Sequence, residues 1–254
     1  MRFQNKRREN REERVIDLSG WTPKTTLGRK VKTGEITSID QILEKGQKIL
    51  EPEIVTMLLP DLKEEVLALR STQRMTASGR KQKMEAFVAL GNKRGYIALG
   101  VGKAVEARDA IAEAISDAKK RVIKVRLGCG SWECGCGTGH SVPREVSGKN
   151  SSTQITIKPA PRGVGLVAGE VAKKVLTLAG VSDAWTFAKG RTRNVLNMVL
   201  ATIDALDSLN SLKAGKGGSI YDDIAAEIAK IPADEKVELA PADAAATAPA
   251  ADAA

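Results

Sequence analysis

The segment from Gly91 to Ala104 constrains the fold of this chain more than any other stretch. Its glycines fall at positions 91, 95, 100 and 102, and glycine at this density indicates either positive φ or a close approach of the backbone to another group. An alanine-rich helix over 105–121 follows, because apolar residues recur there with the helical period. The pattern predicts two thin strands, a basic turn and a small-residue helix. Such a unit offers a surface for reading a nucleic acid backbone rather than a pocket.

Two nucleotide-binding motifs come close to matching in this chain, and both fail. Walker A needs a hydroxyl residue after Gly-Lys, but Gly102–Ala104 lacks it, and Ile97 stands where the first glycine belongs. The run Gly163–Ala168 fits the looser dinucleotide fingerprint, with Asp183 at a tolerable distance downstream. A Rossmann turn follows its strand directly, however, whereas Pro159–Arg162 intervenes here. The sequence therefore argues against a nucleotide cofactor.

The charge of the chain points to a polyanionic partner. It carries 40 Lys and Arg against 31 Asp and Glu, a formal net charge of +9, and its last residues, from position 231, are acidic. A basic body suits a nucleic acid, and an aromatic content of 3% favours phosphate contacts over base stacking. The sequence has no apolar run of about 18 residues to span a membrane and no signal-peptide pattern. We therefore expect a cytoplasmic protein.

Composition and periodicity divide the chain into two α+β domains with extensions. The order α-β-β-β-α is predicted over 38–121, and a second, smaller α/β unit follows. The predicted segments are a basic N-terminal extension over 1–37, a first domain over 38–121, a second domain over 122–212 with a Cys/His insertion at 129–147, and a tail over 213–254 that is acidic and low-complexity at its end. Within the extension we expect 1–14 to be a mobile arm and 21–37 to be extended. A weak helix is predicted over 221–231, and 235–254 cannot bury enough apolar surface to order itself.

Basic residues cluster on the predicted turns, where they can reach phosphates. The turn at 76–79 begins a basic hairpin loop, the turn at 92–94 is basic, and a third basic turn precedes the last long helix. Lys103 is predicted at the mouth of the first long helix, where a helix N-terminus favours anions. The predicted RNA-binding residues are Arg74, Arg80, Lys81, Lys83, Asn92, Lys93, Arg94, Lys103, Arg191 and Arg193. An alternative role for Lys83 is to protect a strand edge against aggregation.

All three cysteines and the only histidine lie within one short segment, as Cys129, Cys134, Cys136 and His140. Their spacing, Cys-x4-Cys-x-Cys-x3-His, is not a standard zinc-finger pattern, but intervening glycines let the backbone wrap one tetrahedral ion. The residues predict a structural Zn²⁺, because four protein ligands leave no open position for water. Two alternatives stay open, namely reduced thiols in a turn and a disulfide redox switch.

Separate stretches of the chain resemble one known family. The α-β-β-β-α order ending in Gly91–Glu106, the run Pro159–Gly169 and the run Leu178–Thr186 resemble the small-subunit ribosomal protein S5 family, over roughly residues 38–212. The Pro-Ala-Pro-Arg form and the insertion at 129–147 are similar to its archaeal and eukaryotic branch. The cysteines and histidine of that insertion, with the short acidic tail, favour the archaeal type.

The resemblance implies both a fold and a function. The first domain should be similar to a double-stranded-RNA-binding fold, and the second should contain a left-handed β-α-β crossover, a hand that the general rule does not favour. The protein should be a structural constituent of the small ribosomal subunit that binds rRNA near the decoding and messenger entry region and supports translational accuracy. Its implied partners are rRNA, ribosomal protein S4, other small-subunit proteins and messenger RNA at the entry path. The implicated element is the hairpin at 74–83.

A free double-stranded-RNA-binding protein is the alternative function. Such modules usually open their last helix with several lysines, whereas here Lys103 is followed by Glu106 and Asp109. A free module also needs no second domain. An enzyme is not expected, because the only histidine belongs to the cysteine cluster and no catalytic triad is visible. Likeness of the second domain to some kinases is no warrant for activity.

Overall fold

The structure is a computed structural model that describes residues 21–136 and 138–211. Within these ranges the helices are α1 (Thr26–Lys32), α2 (Asp40–Glu44), α3 (Pro52–Leu58), α4 (Ala107–Lys119), α5 (Glu170–Ala179) and α6 (Val195–Ser208). The strands are β1 (Lys63–Thr76), β2 (Gly79–Gly91), β3 (Tyr96–Ala104), β4 (Val122–Lys124), β5 (Val146–Asn150), β6 (Thr153–Pro159), β7 (Leu166–Val167) and β8 (Ala184–Lys189). The arm 1–14, the weak helix 221–231 and the tail 235–254 that the sequence predicts lie outside the described residues.

The first sheet holds β1, β2, β3 and β4 in that order, with antiparallel neighbours. Helix α4 packs on it through a face of buried alanines, and this face meets β3 at Gly100 and Gly102. A methyl group at Gly102 would stand 2.2 Å from the carbonyl oxygen of Ala110, far inside van der Waals contact. Close approach therefore explains these two glycines, as the sequence predicted. What they approach is the protein's own helix.

The segment 21–37 is not extended, contrary to the sequence-based expectation. It contains α1, whose Val31 is buried in the same apolar core as the residues under the first sheet. The carboxylate of Glu51 holds the start of this segment, because it accepts hydrogen bonds from the backbone N–H of Lys24 (2.9 Å) and Thr25 (2.6 Å) and from Nε1 of Trp21 (3.1 Å). The sequence analysis missed this helix because Arg29, Lys30 and Lys32 on its exposed side dominate the composition, while Val31 is the apolar residue it buries.

The chain returns to the first sheet after α4. Strand β4 pairs with β3, with Ile97 opposite Ile123. Residues 122–124, which the sequence analysis assigned to the second domain, therefore belong to the first sheet. The segment with the cysteines and the histidine follows, and it leads into the second sheet.

The second sheet has the order β5-β6-β8-β7, in which β7 and β8 are parallel and the other pairs are antiparallel. Helix α5 connects β7 to β8, which gives the expected β-α-β crossover; its hand stays a prediction. The buried side chains of Ile155 and Ile157 lie on β6, and α6 contributes Val199 and Leu206 to the core. The α+β fold class is confirmed.

The two sheets are joined where the turn after β2 meets the end of α5. The backbone N–H of Lys93 donates to the carbonyl oxygen of Leu178 (2.9 Å), and that of Gly95 donates to Ala179 (3.0 Å). These bonds satisfy carbonyls at a helix C-terminus that have no partner within the helix. Of the helices within 21–136 and 138–211, none combines the length and apolar character that crossing a bilayer demands.

Candidate RNA-binding surface and metal centre

The hairpin of β1 and β2 projects beyond the rest of the first sheet. Strand β3 accompanies β2 only as far as the pair Met84–Ala104, so residues 72–83 form a free two-stranded ribbon, here called the ribbon tip. Only Ala77 and Ser78 lie outside the strands. The sequence analysis took 74–83 for a loop; it is a paired ribbon, because the strands continue through polar residues that show no apolar alternation.

The ribbon tip concentrates positive charge without any acidic residue. Its cations are Arg74, Arg80, Lys81 and Lys83, all exposed. Arg74 and Lys81 stand directly opposite each other across the ribbon, and like charges in such a cross-strand pair repel. A polyanion laid along this face would relieve that repulsion, so the geometry suits a phosphate backbone.

A buried carboxylate neutralises the cations at the base of the ribbon. Glu85, whose side chain is 3% exposed, pairs with Nε of Arg70 at 2.5 Å and with Nζ of Lys103 at 2.9 Å. Burial alone would raise the pKa of Glu85, but the hydrogen bonds and charges of Arg70 and Lys103 outweigh it and lower the pKa below its ordinary value. Lys103 lies on β3 and not at the mouth of α4 as predicted, because the helix begins four residues later.

The second predicted turn is held by its asparagine. Oδ1 of Asn92 accepts from the backbone N–H of Arg94 (2.8 Å) and of Tyr96 (3.1 Å). Asn92 thus shapes the turn, which leaves Lys93 and Arg94 exposed. Arg94 also forms an ion pair with Asp61 at 3.6 Å, but both side chains are more than two-thirds exposed, and such pairs contribute little.

The third basic turn lies beside the first sheet. Arg191 and Arg193, both exposed, line a depression of about 360 Å³ together with Ala68, Arg70 and Phe87. The guanidinium of Arg70 stands over the ring of Phe87, 5.1 Å from its centroid. The structure thus brings two predicted residues next to Arg70, which the sequence analysis missed. Arg70, Thr72 and Arg74 alternate along β1, so their spacing could have indicated that Arg70 lies on the same face of the strand as Arg74.

The four predicted metal ligands converge. One donor atom from each of Cys129, Cys134, Cys136 and His140 lies within 4.8 Å of every other. Sγ of Cys134 is 3.7 Å from Nε2 of His140. A tetrahedral zinc ion, with bonds of about 2.3 Å to sulfur and about 2.0 Å to nitrogen, separates its donors by about 3.5–3.8 Å. The cluster therefore has the composition and nearly the dimensions of a site that could hold one metal ion.

Hydrogen bonds favour the thiolate form at two of these cysteines. The hydroxyl and backbone N–H of Thr138 lower the pKa of Cys136 to about 6, with Oγ1 at 3.3 Å from the sulfur. The backbone N–H of Arg162 lowers the pKa of Cys134, whereas burial raises the pKa of Cys129. Thiolate is the metal-binding form of cysteine, so the surroundings of Cys134 and Cys136 favour the form that binds a metal ion.

The histidine is fixed by an aspartate that the sequence analysis did not connect with the cluster. Nδ1 of His140 lies 2.8 Å from Oδ2 of Asp183, and both side chains are at least nine-tenths buried. Burial would raise the pKa of Asp183, but hydrogen bonds from Gly165, His140 and Gly163 outweigh it and lower the pKa. Because 43 residues separate the pair, no local spacing could have revealed it.

Comparison with known proteins identifies the family. Residues 62–126 match the family described as ribosomal protein S5, N-terminal domain, and residues 148–216 match ribosomal protein S5, C-terminal domain. The chain is 54% identical over 202 residues to the small ribosomal subunit protein uS5 of Methanoregula boonei, covering 80% of this chain and 98% of that protein. It is 56% identical over 195 residues to the protein of the same name from Methanocaldococcus jannaschii, covering 77% and 90%.

The chain therefore belongs to the ribosomal protein S5 family. Members of this family are structural components of the ribosome and not enzymes, so the expectation of a non-catalytic protein is confirmed. The resemblance to the archaeal type is confirmed by the archaeal relatives. The family also places the chain in the cytoplasm, within the ribosome.

Proposed function

We propose that this chain is a structural constituent of the small ribosomal subunit that binds rRNA near the decoding and messenger entry region and supports translational accuracy. The observation that carries the proposal is the ribbon tip, a projecting element whose charged residues are all basic and in which Arg74 and Lys81 are opposed across the strands. Ribosomal protein S4, other small-subunit proteins and messenger RNA at the entry path are the proposed partners, on the family resemblance.

The RNA surface is proposed to consist of phosphate contacts. It comprises Arg74, Arg80, Lys81, Lys83, Lys93, Arg94, Lys103, Arg191 and Arg193, with Asn92 as the residue that holds its turn. Of these, Lys103 is already paired with Glu85, so it should contribute less than the cations of the ribbon tip.

Salt titration tests whether phosphate contacts dominate. Log affinity for small-subunit rRNA should fall linearly with log salt, by about 0.7–0.9 for each phosphate neutralised. Replacing Arg80 and Lys81 with alanine should reduce both affinity and slope. Lys45→Ala with Lys48→Ala, which removes two exposed lysines outside the surface, is the matched control. Binding that does not respond to salt would contradict the proposal.

The role in accuracy has a separate test. Subunits carrying Arg80→Ala and Lys81→Ala should assemble, because both side chains are exposed and take no part in the core, but should misincorporate amino acids at a changed rate. Unchanged accuracy combined with loss of subunits would show the tip to be an assembly contact.

A free double-stranded-RNA-binding protein remains the alternative function, and the start of α4 disfavours it. The first turn of α4 carries Asp109, its N-cap is Glu106, and no basic residue but Arg108 lies there. Sedimentation of the protein with small subunits from a cell extract, with none free, is the expected result. A free pool bound to other duplex RNA would favour the alternative.

We further propose that Cys129, Cys134, Cys136 and His140 hold one structural Zn²⁺. Sulfur and imidazole donors select zinc over magnesium or calcium. The segment has little apolar core, since Trp132 is 92% exposed, and a metal ion is a source of order for such a loop. Metal analysis should find about one zinc per chain.

The cysteine variants decide between zinc and its alternatives. Cys134→Ser should abolish zinc binding, whereas Ser131→Ala in the same loop should retain it. Three freely reactive thiols and no zinc in protein purified without chelators would support the plain-thiol alternative. A mass lower by two hydrogen atoms, without metal, would support a disulfide.

A further inference from the structure

The side chain of Asp183, the residue before β8, makes three hydrogen bonds. It is 4% exposed, and both carboxylate oxygens are used. Oδ2 accepts from Nδ1 of His140 (2.8 Å), while Oδ1 accepts from the backbone N–H of Gly165 (2.7 Å) and Gly163 (3.1 Å). One buried carboxylate thus bonds both to the proposed metal cluster and to the loop over residues 160–165.

We propose that Asp183 is a positioning residue that couples the metal centre to the 160–165 loop, so that bound metal orders this loop of the second domain. The inference rests on the proposed zinc site and assigns that site a task beyond ordering its own segment.

The first step concerns the histidine ring. An ionised carboxylate only accepts hydrogen bonds, so Nδ1 of His140 must carry the hydrogen that Asp183 receives. In the neutral ring the other nitrogen, Nε2, then has a free lone pair for a metal ion, and it is the nitrogen that lies 3.7 Å from the sulfur of Cys134. Carboxylates that fix a ligating histidine in this way orient the ring and increase its basicity.

The second step concerns the loop, which has little else to hold it. Gly163 and Gly165 both have positive φ, and a methyl group at either would meet no atom within 4 Å. Val164 between them is 40% exposed. Packing contributes little here, so these glycines are restrained by hydrogen bonds: those that both donate to Asp183, and the one that the carbonyl oxygen of Gly165 accepts from the N–H of Ala184 (3.2 Å).

Further bonds tie the loop to the same cluster. The backbone N–H of Arg162 lies close enough to the sulfur of Cys134 to lower its pKa. The carbonyl oxygen of His140 accepts from the N–H of Ser182 (2.8 Å) and of Asp183 (3.2 Å). The hydroxyl of Ser141, which is fully buried, donates to the carbonyl oxygen of Asp183 and accepts from the N–H of Ala160 (3.3 Å). The cluster, the loop and the residues before β8 therefore form one polar network.

Hydrogen exchange with and without zinc is the test that needs no variant. In the zinc-loaded full chain, the amides of Gly163 and Gly165 should exchange slowly. After chelation they should exchange at least tenfold faster, while amides of β2 and β3 keep their protection. Equal exchange of both glycines in the two states would overturn the inference.

Asp183→Asn tests the coupling residue itself. An outer-shell change of this kind lowers metal affinity about 10–100-fold, which competition with a zinc-binding dye measures. Asp204→Asn is the matched control, because Asp204 also accepts a backbone N–H, from Lys149 at 3.2 Å, but belongs to α6. In addition, ¹⁵N chemical shifts of the His140 ring should report hydrogen on Nδ1 in the wild type and a changed state in Asp183→Asn.

The outcomes separate the inference from the metal proposal. A wild-type chain that binds no zinc would refute the metal centre. A chain that binds zinc, with the same affinity in Asp183→Asn and with exchange at Gly163 unaffected by metal, would refute the coupling and leave the metal centre intact.

Discussion

Two glycine-rich segments of this molecule are ordered by opposite means. Residues 96–104 form a strand whose glycines are covered by the alanines of α4, and the neighbouring Ala98 and Leu99 are buried. In the cysteine segment, residues 129–136 and 138–140, Trp132 is almost fully exposed, an added methyl at Gly135 would meet no atom within 4 Å, and three cysteines and a histidine face one another. Packing orders the first segment, and polar donors with a proposed metal order the second.

The difference teaches that glycine content alone does not reveal a function. In the first segment glycine removes side-chain volume so that a helix backbone can approach a strand. In the second, Gly135 has no positive φ and no neighbour within 4 Å of a would-be methyl group, so neither a close approach nor a left-handed backbone requires glycine there. Glycine is thus required by packing at Gly102, whereas Gly135 could be replaced without meeting another atom.

The largest expected effect comes from filling the packed segment. In Gly102→Ala the new methyl would stand 2.2 Å from the carbonyl oxygen of Ala110 and 2.5 Å from the N of Ala114. Both are backbone atoms, so α4 must move off the sheet, and we expect a loss of about 3 kcal/mol or more. Urea denaturation measures it. A loss under about 0.5 kcal/mol, the size of an ordinary surface change, would show that α4 does not rest on β3 as described.

The buried charge beside this segment should give the next effect. Glu85→Gln leaves Arg70 and Lys103 without their carboxylate, and we expect a loss of about 1 kcal/mol, because the side chains of these partners are 50% and 55% exposed and screened by solvent. The folded-state pKa of Glu85 is lowered, so the stability it contributes is present above the ordinary value of 4.5 and is lost as pH falls below it.

Denaturation of both proteins over a pH series measures this contribution. The gap between wild type and Glu85→Gln should be full at neutral pH and should close in acid. Glu64→Gln, an exposed position on β1, is the control and should show no gap. A gap that stays constant through the acid range would mean that Glu85 does not act on Arg70 and Lys103 through its charge.

Most of the long elements were predictable from sequence, since apolar periodicity marks β1, β2, α4, β6, α5 and α6. Strand β5 was missed because Gly148, Lys149 and Asn150 have low strand propensity, and the strand forms by pairing with β6. The four metal-type donors were predictable, since they lie within twelve residues of one another. The role of Asp183 was not, because only the folded chain brings it to His140.

A single hydroxyl supplies a test of similar size in the packed segment. The hydroxyl of Tyr96 donates to Oδ1 of Asp40 at 2.7 Å, and Tyr96→Phe should cost about 1 kcal/mol. Burial, followed by the hydrogen bond and charge of Asp40, raises the pKa of Tyr96 to about 12. This contribution is therefore complete below the ordinary value of 10.0 and is lost as pH rises through the folded value. In an Asp40→Asn background the cost of Tyr96→Phe should shrink; an unchanged cost would locate it in packing.

The smallest effect is expected for a glycine-to-alanine substitution in the cysteine segment, the counterpart of Gly102→Ala in the packed strand. Gly135→Ala adds its methyl group to open space, and Gly135 does not have positive φ. The free energy of unfolding should change by less than about 0.5 kcal/mol. Zinc content should stay that of the wild type, because the backbone that carries Cys134 and Cys136 does not have to move. Denaturation and metal analysis of Gly135→Ala beside Gly102→Ala provide the measurement. If Gly135→Ala were as destabilising as Gly102→Ala, Gly135 would have to be packed against other residues. The contrast between a segment ordered by packing and one ordered by polar donors would then fail.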